Sequence, residues 1–426
     1  MARRILVSAY ACEPGKGSEQ GVGWNWVLQL ARCGDVTVIT RANNREVIES
    51  ALAAMPDTAL RFVYYDLPAW ARRFKRGERG LYLYYLLWQV GAYIMARRLL
   101  RDVRFDHVVA LTFGSIWMPT FMQFLGVPFI WGPIGGGEAV PKNLLGALPL
   151  KARLMQRARY FLFGLNRVNP MARHCMRRAS AILVRTMDTA VLIPDCWKDK
   201  CSVILETAVA EEVLKELDPT RRGGDAADHP PGTGPTTAIY TGRLIGLKNV
   251  PVALFAVAES VRCGRDIRLV IVGDGPERQR LEALARTLEI AARVEFRGKR
   301  PLPEVLQALR DADIYLFPSL KEGGVWSLME AMAAGLPVIC METSGMAVIT
   351  SDECAIRIPP MALPEVRQAM AEALVALCDD PGRRRAMGEA GRQRILDMFR
   401  WSEKGEFIEA LLARIEARAS SEEGLA

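Results

Sequence analysis

Short apolar runs alternate along this chain with longer stretches in which apolar residues recur at helical spacing. In the first half, apolar runs predict strands at 4–10, 36–40, 105–113, 128–131, 181–186 and 201–205. The second half repeats the pattern, with strands predicted at 237–242, 268–272, 294–296, 314–317 and 338–341. Strands that alternate with helices through short connections predict parallel, doubly wound sheets, and therefore an α/β fold.

A chain of 426 residues is too long for one ordinary core, so two domains are expected. Residues 218–235 are rich in glycine, aspartate and proline and lack periodicity, which predicts a linker. The predicted division is an N-terminal domain at 1–217, the linker at 218–235, a C-terminal domain at 236–400 and a last helix at 401–426.

One stretch, Lys321-Glu-Gly-Gly-Val-Trp-Ser-Leu-Met-Glu330, joins the strand predicted at 314–317 to a helix predicted at 325–334. A buried strand that leads through a glycine-rich turn into a helix leaves backbone amides unpaired, and these favour a phosphate or a polarised sugar oxygen. Glu322 stands in the turn, and Glu330 follows one to two turns into the helix. Taken alone, these glutamates would be two solvated carboxylates at a helix end.

The pattern E-G-x(6)-E-A-M-A-x-G-x-P-V-I, which starts at Glu322, resembles the donor site of the family 4 retaining glycosyltransferases, which have the GT-B fold. The resemblance implies two Rossmann-like, doubly wound domains that face each other across a cleft, with residues 401–426 crossing back to the first domain. It places Glu322 beside the transferred sugar and Glu330 at the ribose hydroxyls of the nucleotide. The donor-binding turn between them is Gly323, Gly324 and Val325.

Residues elsewhere in the chain match the same family. Arg243 and Lys248 follow the first strand of the second half, at the spacing with which the family grips the donor pyrophosphate. Fixed cations there would stabilise the negative charge that develops on the leaving diphosphate. The resemblance also places Arg297 close to the nucleotide base. It places Gly17 and Ser18 in a loop that closes over the diphosphate or the acceptor, for which a plain connecting turn is the alternative.

The acceptor side is less like the family. Glu138 ends a glycine-rich loop after the strand at 128–131, and open α/β sheets place their ligands at such strand ends, so Glu138 is predicted on the acceptor side. Thr112 stands near the position at which family members often carry a histidine that contacts the sugar. Val325 stands where a glycine is usual, and Trp326 where a smaller residue is usual. The later loop at 344–348 also departs from the family pattern. Both departures would reshape the hexose pocket without abolishing the nucleotide site.

Charge is distributed unevenly along the chain. Residues 1–217 hold 29 Lys and Arg against 18 Asp and Glu, a net +11, and the remaining 27 against 30 give −3, for +8 overall. Two basic runs that contain aromatic residues, 72–98 and 151–178, fit an anionic membrane surface. A buried helix with solvated ends is the alternative. No nucleic-acid reader motif accompanies the charge, so nucleic acid is not expected as a partner.

The cysteines and the N-terminus indicate the compartment. Nine cysteines without a C-x(2)-C pair favour reduced thiols in the cytoplasm and argue against a zinc site. The first apolar run is too short for a signal peptide, and no segment has the roughly 20 apolar residues needed to span a bilayer. Asp311 and Asp313 are expected to close a helix rather than bind a metal. We therefore expect no metal and no cofactor, and a cytoplasmic location that is either free or peripheral on the inner face of the membrane.

Together these observations favour a metal-independent, retaining glycosyltransferase of the hexosyltransferase type. It would move a sugar from a nucleoside-diphosphate sugar to a glycan, lipid-linked or other hydroxyl acceptor, in cell-surface polysaccharide or glycolipid synthesis. Two alternatives stay open at this point. One is a nucleotide-sugar-binding subunit without catalysis, and the other is a GT-B epimerase that acts on a nucleotide sugar.

Overall fold

The structure is a computed structural model, and it describes residues 2–68, 80–166, 169–218 and 234–423. The chain forms two compact units. The first unit comprises Met1–Gly137, Leu162–Glu206 and Trp401–Ala426, and the second comprises Glu138–Phe161 and Thr207–Arg400. This division differs from the predicted one, because residues 138–161 and 207–217 group with the second unit. Most of the predicted linker, 219–233, lies outside the described residues.

The first unit contains a seven-stranded sheet in which every neighbouring pair is parallel. Its strands β1 to β7 are Arg3–Ser8, Gly34–Arg41, Leu60–Tyr65, His107–Ala110, Phe129–Ile134, Ala181–Val184 and Cys201–Val203. They lie in the order β3-β2-β1-β4-β5-β6-β7. The sequence predicted six of these strands and missed β3, which lies at an edge of the sheet and is only partly buried.

Aromatic side chains fill much of the core of the first unit. Trp26, Trp88 and Trp131 are fully buried. Tyr10 follows β1 and packs edge-on against Tyr85 and Trp88, with ring centroids 5.0 and 5.1 Å apart. Such edge-to-face pairs add about 0.5–1.5 kcal/mol each to the energy of burial. This core supports the carboxyl ends of the first and fourth strands.

The second unit contains a six-stranded sheet that is also parallel throughout. Its strands β8 to β13 are Thr236–Thr241, Ile267–Val272, Val294–Gly298, Ile314–Phe317, Val338–Met341 and Ala355–Ile358. They lie in the order β10-β9-β8-β11-β12-β13. Each residue of β11 and β12 is buried, which matches their uninterrupted apolar sequence. The strand that the sequence missed, β13, is again at an edge.

Helices connect the strands in both units. In chain order, α1 to α15 are Ser18–Ala31, Arg45–Ala53, Leu81–Asp102, Leu150–Asn166, Pro170–Arg178, Met187–Ala190, Glu211–Glu216, Val250–Arg262, Arg278–Thr287, Leu302–Arg310, Trp326–Ala333, Ser344–Ile349, Leu363–Asp379, Pro381–Met398 and Trp401–Glu423. None of the helices in the described part of the chain has the length and apolar character required to cross a membrane. Of the basic run 72–98, residues 72–79 fall outside the described residues, and most of the rest forms α3.

Candidate active site

Two loops of the second unit meet at an ion pair between Lys248 and Glu322. Lys248 ends a short 3-10 turn after β8, and Glu322 lies between β11 and α11. The Lys248 Nζ is 2.5 Å from the Glu322 Oε1, and both side chains are more than four-fifths buried. The Ser319 hydroxyl donates a hydrogen bond to the same Oε1 atom. The carboxylate of Glu322 is therefore fixed from two sides.

Backbone hydrogen bonds hold these two loops in register. The Leu247 carbonyl accepts a hydrogen bond from the Leu320 amide at 3.0 Å, and the Ser319 hydroxyl lies 3.3 Å from the same oxygen. The Lys248 ammonium also lies 5.1 Å from the centre of the Phe317 ring, a cation–π distance. The ammonium is thus held by the Glu322 carboxylate and by the ring of Phe317, the last residue of β11.

Glycines let three backbone segments approach each other at the turn before α11. The Gly345 amide donates to the Glu322 carbonyl at 3.0 Å, and a Cβ atom at Gly345 would lie 1.7 Å from the Gly323 carbonyl oxygen. A Cβ atom at Gly324 would lie 2.1 Å from the Thr207 hydroxyl. Any larger residue at either position would displace the backbone of the turn. These glycines are needed for close packing, so their presence does not depend on a ligand.

The same turn has features of an anion site. Among the described residues, the amides of Gly323 and Val325 have no hydrogen-bond acceptor. Val325 has extended backbone angles and stands directly before α11, whose first turn adds further unpaired amides and a partial positive charge. The ammonium of Lys248 lies beside this turn, where it is paired with the Glu322 carboxylate. The combination can hold a phosphate group.

Glu330 lies on α11, and its side chain has no hydrogen-bond or ion-pair partner within the described ranges. Burial raises the pKa of its carboxyl group from the usual 4.5 to about 7. The hydroxyl groups of Tyr315 and Thr241 lie 3.0 Å apart in the buried strands of the same sheet. A half-neutral carboxyl group without a partner is costly to bury, and it is a group that a ligand hydroxyl could satisfy.

We expect the free-energy cost of Glu330 to depend on pH. The folded-state pKa lies above the unfolded one, so the folded protein loses stability as pH rises from about 4.5 to 7. At 1.4 kcal/mol per pKa unit, the loss is at most about 3 kcal/mol. Glu330→Gln should therefore melt above the wild-type protein at pH 8 and close to it at pH 4.5.

Thermal unfolding of the two proteins across this pH range measures the difference. Glu372 is exposed on α13, so Glu372→Gln serves as a control in which the difference from wild type should be small at every pH. A Glu330→Gln protein whose difference from wild type is the same at pH 4.5 and pH 8 would contradict the raised pKa of Glu330.

Arg243 stands next to the Lys248 turn, directly after β8 and Gly242. Its side chain is exposed, and in the described part of the chain it forms no ion pair or hydrogen bond. The backbone here is held in place, because the Tyr240 hydroxyl donates to the Arg243 carbonyl at 3.1 Å. A Cβ atom at Gly273 would lie 1.9 Å from the Gly242 carbonyl oxygen, so the loops after β8 and β9 are packed together. Arg243 therefore offers an uncompensated cation on a fixed backbone.

Two other candidate residues of the second unit, Arg297 and Asp313, form hydrogen bonds to neighbouring residues that give each a structural role. The Arg297 guanidinium forms two hydrogen bonds with the Glu295 carboxylate, at 2.9 and 3.1 Å. Asp313 accepts a hydrogen bond from the Thr237 amide at 2.8 Å. Asp313 thus stabilises the start of β8. Within the residues that the structure describes, no three His, Cys, Asp or Glu side chains form a group that could hold a metal ion.

The remaining candidates fall into different units. Gly17, Ser18 and Thr112 belong to the first unit, where the Thr112 hydroxyl accepts a hydrogen bond from the Ala11 amide at 3.1 Å. Glu138 was predicted in the N-terminal domain as the only charge of its loop. It belongs instead to the second unit, is buried, and lies 3.9 Å from the Arg159 guanidinium. Arg159 lies on α4, 21 residues further along the chain, and the acceptor-side role of Glu138 stays a prediction.

Sequence reasoning missed a buried charge cluster in the first unit. The Arg185 guanidinium lies 2.7 Å from the Glu19 carboxylate and 3.3 Å from the Glu206 carboxylate. Glu19 also accepts a hydrogen bond from the Phe113 amide at 3.1 Å. The sequence signal for this cluster was Arg185 itself, a charged residue directly after the buried strand 181–184.

Comparison with known proteins finds a family model that matches most of the second unit. The family model "Glycosyl transferases group 1" matches residues 225–394. Over these residues the second unit is similar to this glycosyltransferase family. A 2-deoxystreptamine glucosyltransferase of Streptomyces kanamyceticus is 28% identical over 243 residues, which are 54% of this chain and 60% of that protein. A glycogen synthase of Mycobacterium tuberculosis (strain CDC 1551 / Oshkosh) is 30% identical over 229 residues, or 51% and 52% of the two chains.

The group 1 relatives thus match this chain over only part of their length, between about half and three fifths for these two. Similarity of structure covers more. A sucrose-phosphate synthase from Thermosynechococcus elongatus superposes with a TM-score of 0.66 over all of both chains, at 16% identity. The fold of the chain is GT-B, with two Rossmann-like α/β units. The GT-B fold that the motif at 322–339 predicted is confirmed. The match to the group 1 model agrees with a glycosyltransferase, and the assignment to family 4 stays a prediction.

Proposed function

We propose that the chain transfers a sugar from a nucleoside-diphosphate sugar to a hydroxyl acceptor, with retention of the anomeric configuration. The pairing of Lys248 with Glu322 at the turn before α11 carries this proposal. It puts one cation and one carboxylate together beside free backbone amides, in a domain of a glycosyltransferase family. Three relatives support the same class of reaction by name: a 2-deoxystreptamine glucosyltransferase, an alpha-D-kanosaminyltransferase and a glycogen synthase.

In the proposed reaction, the bond between the anomeric carbon and the diphosphate oxygen breaks as the acceptor oxygen bonds to the same face of the sugar. The acceptor proton passes to an oxygen of the departing diphosphate, so the nucleoside diphosphate leaves with one proton gained. Negative charge grows on the leaving group and positive charge on the sugar carbon. Preorganised groups of opposite charge lower the barrier to such a step.

The residues of the second unit have distinct roles in this step. Arg243 and Lys248 hold the diphosphate as its charge increases, and their charges take the place of a metal ion in this proposal. Glu322 lies beside the sugar and stabilises its positive charge. Glu330 accepts hydrogen bonds from the ribose hydroxyls, which supplies the partner that its buried carboxyl group lacks. Gly323, Gly324 and Val325 offer the turn that holds the donor.

Residues of the first unit belong to the proposal as well. Gly17 and Ser18 of the first unit would line the diphosphate or the acceptor, with Thr112 on the acceptor side. Ser18 has a φ of 63°, a backbone conformation that is uncommon outside glycine and often marks a functional turn. Arg297 would contact the base only if the Glu295 pair opens. All nine cysteines are free thiols, which supports a reducing, cytoplasmic setting.

A thermal-shift screen of nucleoside diphosphates and their sugars tests the binding step. A ligand at a hundred times its Kd stabilises the folded protein by about 2.7 kcal/mol, so a specific nucleotide should raise the melting temperature. Glu330→Ala should reduce that rise more than Glu304→Ala, because Glu304 is an exposed residue of α10. If no nucleoside diphosphate changes the melting temperature, the proposed donor site does not exist.

Turnover of the donor identified in this way separates the three functions that the sequence left open. Transfer to an acceptor, or slow hydrolysis of the sugar, supports the transferase. Conversion of the donor into an isomer without any acceptor would support the epimerase. Binding without either reaction would support a nucleotide-sugar-binding subunit. The anomeric configuration of the product, measured by NMR, tests retention, and an inverted product would overturn the proposed mechanism.

A further inference from the structure

Helix α3, Leu81–Asp102, is apolar on two opposite faces. Its inner face packs into the first unit through Tyr84, Tyr85, Trp88, Gln89, Ala92 and Ala96. Its outer face exposes between 40% and 69% of the surface of Tyr82, Leu83, Leu86, Leu87, Val90 and Ile94. We call these six residues the α3 stripe. A helix that is apolar all round is normally covered on every side, so the stripe indicates that something else binds it.

The stripe forms a continuous row along the helix. Tyr82, Leu86, Val90 and Ile94 follow each other at intervals of four residues, which places them on one face. The row continues at Arg97 and Arg101 with intervals of three and four. The single acidic residue of the helix is Asp102, its last residue. The outer face of α3 therefore passes from apolar to basic without an intervening acid.

Neighbouring elements add further exposed aromatic and basic side chains to this surface. Phe124, which is 43% exposed, lies edge-on to the Tyr93 ring of α3 and stacks on the His174 ring of α5, at centroid distances of 6.5 and 5.2 Å. The exposed Arg177 and Arg178 end α5 beside His174. An exposed aromatic ring thus joins the basic end of α5 to the outer side of α3.

The arginines of this surface have no paired acid within the ranges that the structure describes. Of the residues that the structure describes, none forms an ion pair with Arg97, Arg98, Arg101, Arg177 or Arg178. The Arg97 guanidinium has one long contact, 3.4 Å to the Tyr93 hydroxyl, and Arg177 contacts His174. The surface therefore presents five uncompensated positive charges beside six exposed apolar side chains.

We infer that the α3 stripe and these five arginines dock the first unit onto an anionic lipid bilayer. A helix that lies in the plane of an interface buries its apolar face about 5–10 Å into the boundary of the headgroups, while arginines reach the phosphates beside it. Anionic lipids supply negative charge to these arginines, which have no paired acid in the described part of the chain. The inference concerns location and does not depend on the proposed sugar transfer.

A second copy of this chain fits the surface less well. In a two-fold symmetric dimer, each patch meets an identical patch, so the same arginines would come from both sides. Burying them together would require more acids than Asp102, the single one on the helix. A bilayer with anionic headgroups satisfies both the apolar row and the charges.

Vesicle flotation of the full chain tests this inference. The wild-type protein should float with vesicles of phosphatidylcholine and phosphatidylglycerol, and at least tenfold less with phosphatidylcholine alone. Leu86→Glu with Ile94→Glu places two charges in the stripe and should lower binding to the anionic vesicles at least tenfold. Leu302→Glu is the matched control. Leu302 lies on a helix of the second unit and is 48% exposed, the same fraction as Ile94. It should bind like the wild type.

A second variant tests the charges separately. Arg97→Glu with Arg101→Glu should remove the preference for anionic over neutral vesicles, since each arginine near the surface contributes about fivefold to binding. Thermal unfolding checks that the exposed substitutions leave the fold intact. Absence of wild-type binding, or equal binding by the stripe variant, would overturn the inference. So would a wild-type dimer in sedimentation velocity that the stripe variant converts to a monomer without any binding to vesicles.

Discussion

Replacement of Lys248 by alanine is expected to lower kcat/KM for the nucleotide-sugar donor by about a hundredfold or more, on the order of 3 kcal/mol. The ammonium is held by Glu322 and Phe317 before any ligand arrives, so little reorganisation is needed when charge develops on the leaving diphosphate. Removal of one such preorganised group usually costs about this much. Transfer, or slow donor hydrolysis if no acceptor is at hand, provides the rate.

Two comparison variants make the Lys248 result specific. Lys248→Arg keeps the charge but changes the shape of the group, so it should recover only part of the rate. Lys299→Ala removes an exposed lysine of the same unit and should leave the rate near that of the wild type. If Lys248→Ala retains near-normal kcat/KM while its melting temperature is unchanged, Lys248 does not take part in the reaction.

The parts of the second unit that the sequence predicted well are those with the most buried backbone. Strands β11 and β12 were predicted at the residues where the structure has them, because each is buried on both faces and its apolar run has sharp ends. Helix α11 was predicted with one extra residue at each end. The prediction came this close because the glycines on both sides of the helix mark the turns that bound it. The edge strands β3 and β13 were missed. Partial exposure mixes polar residues into such strands, so the apolar run disappears.

The chemistry of the site was predictable to a smaller extent than its fold. Lys248, Glu322 and Glu330 could be found because a family resemblance supplied the spacing of residues that are far apart in the chain. The direct contact of Lys248 with Glu322, across 74 residues, could not be read from the sequence. The pairing of Arg297 with Glu295 is the opposite case. Those residues are two apart on one strand, where side chains share a face, and this local contact was overlooked.

The cluster around Arg185 shows a physical limit of sequence reasoning. Its partners Glu19 and Glu206 are brought together by the parallel sheet of the first unit, and only strand order determines that they meet. The same limit explains Glu138. Its position relative to Arg159 depends on where the segment 138–161 packs, and neither composition nor periodicity encodes that placement.

Glu322→Gln is expected to lower kcat by about a hundredfold to a thousandfold while nucleoside-diphosphate binding is kept or strengthened. The substitution preserves the shape of the side chain but removes the negative charge that would stabilise the sugar in the transition state. It also removes the negative charge paired with Lys248, so the ammonium attracts the diphosphate more strongly from the same position. A loss of rate without a loss of binding is the result that separates this role from a structural one.

Measurement of kcat together with the Kd of the nucleoside diphosphate decides the role of Glu322. Glu304→Gln, an exposed change in the same unit, is the control and should alter neither quantity. If Glu322→Gln weakens the diphosphate Kd as much as it lowers kcat, the carboxylate mainly positions Lys248 and the turn before α11. If kcat stays unchanged, positive charge on the sugar is stabilised by another group. We expect kcat and the Kd to respond differently for one reason. Lys248 and Glu322 neutralise each other in the free protein, but as the bond between sugar and diphosphate breaks, Lys248 faces the negative diphosphate and Glu322 the positive sugar.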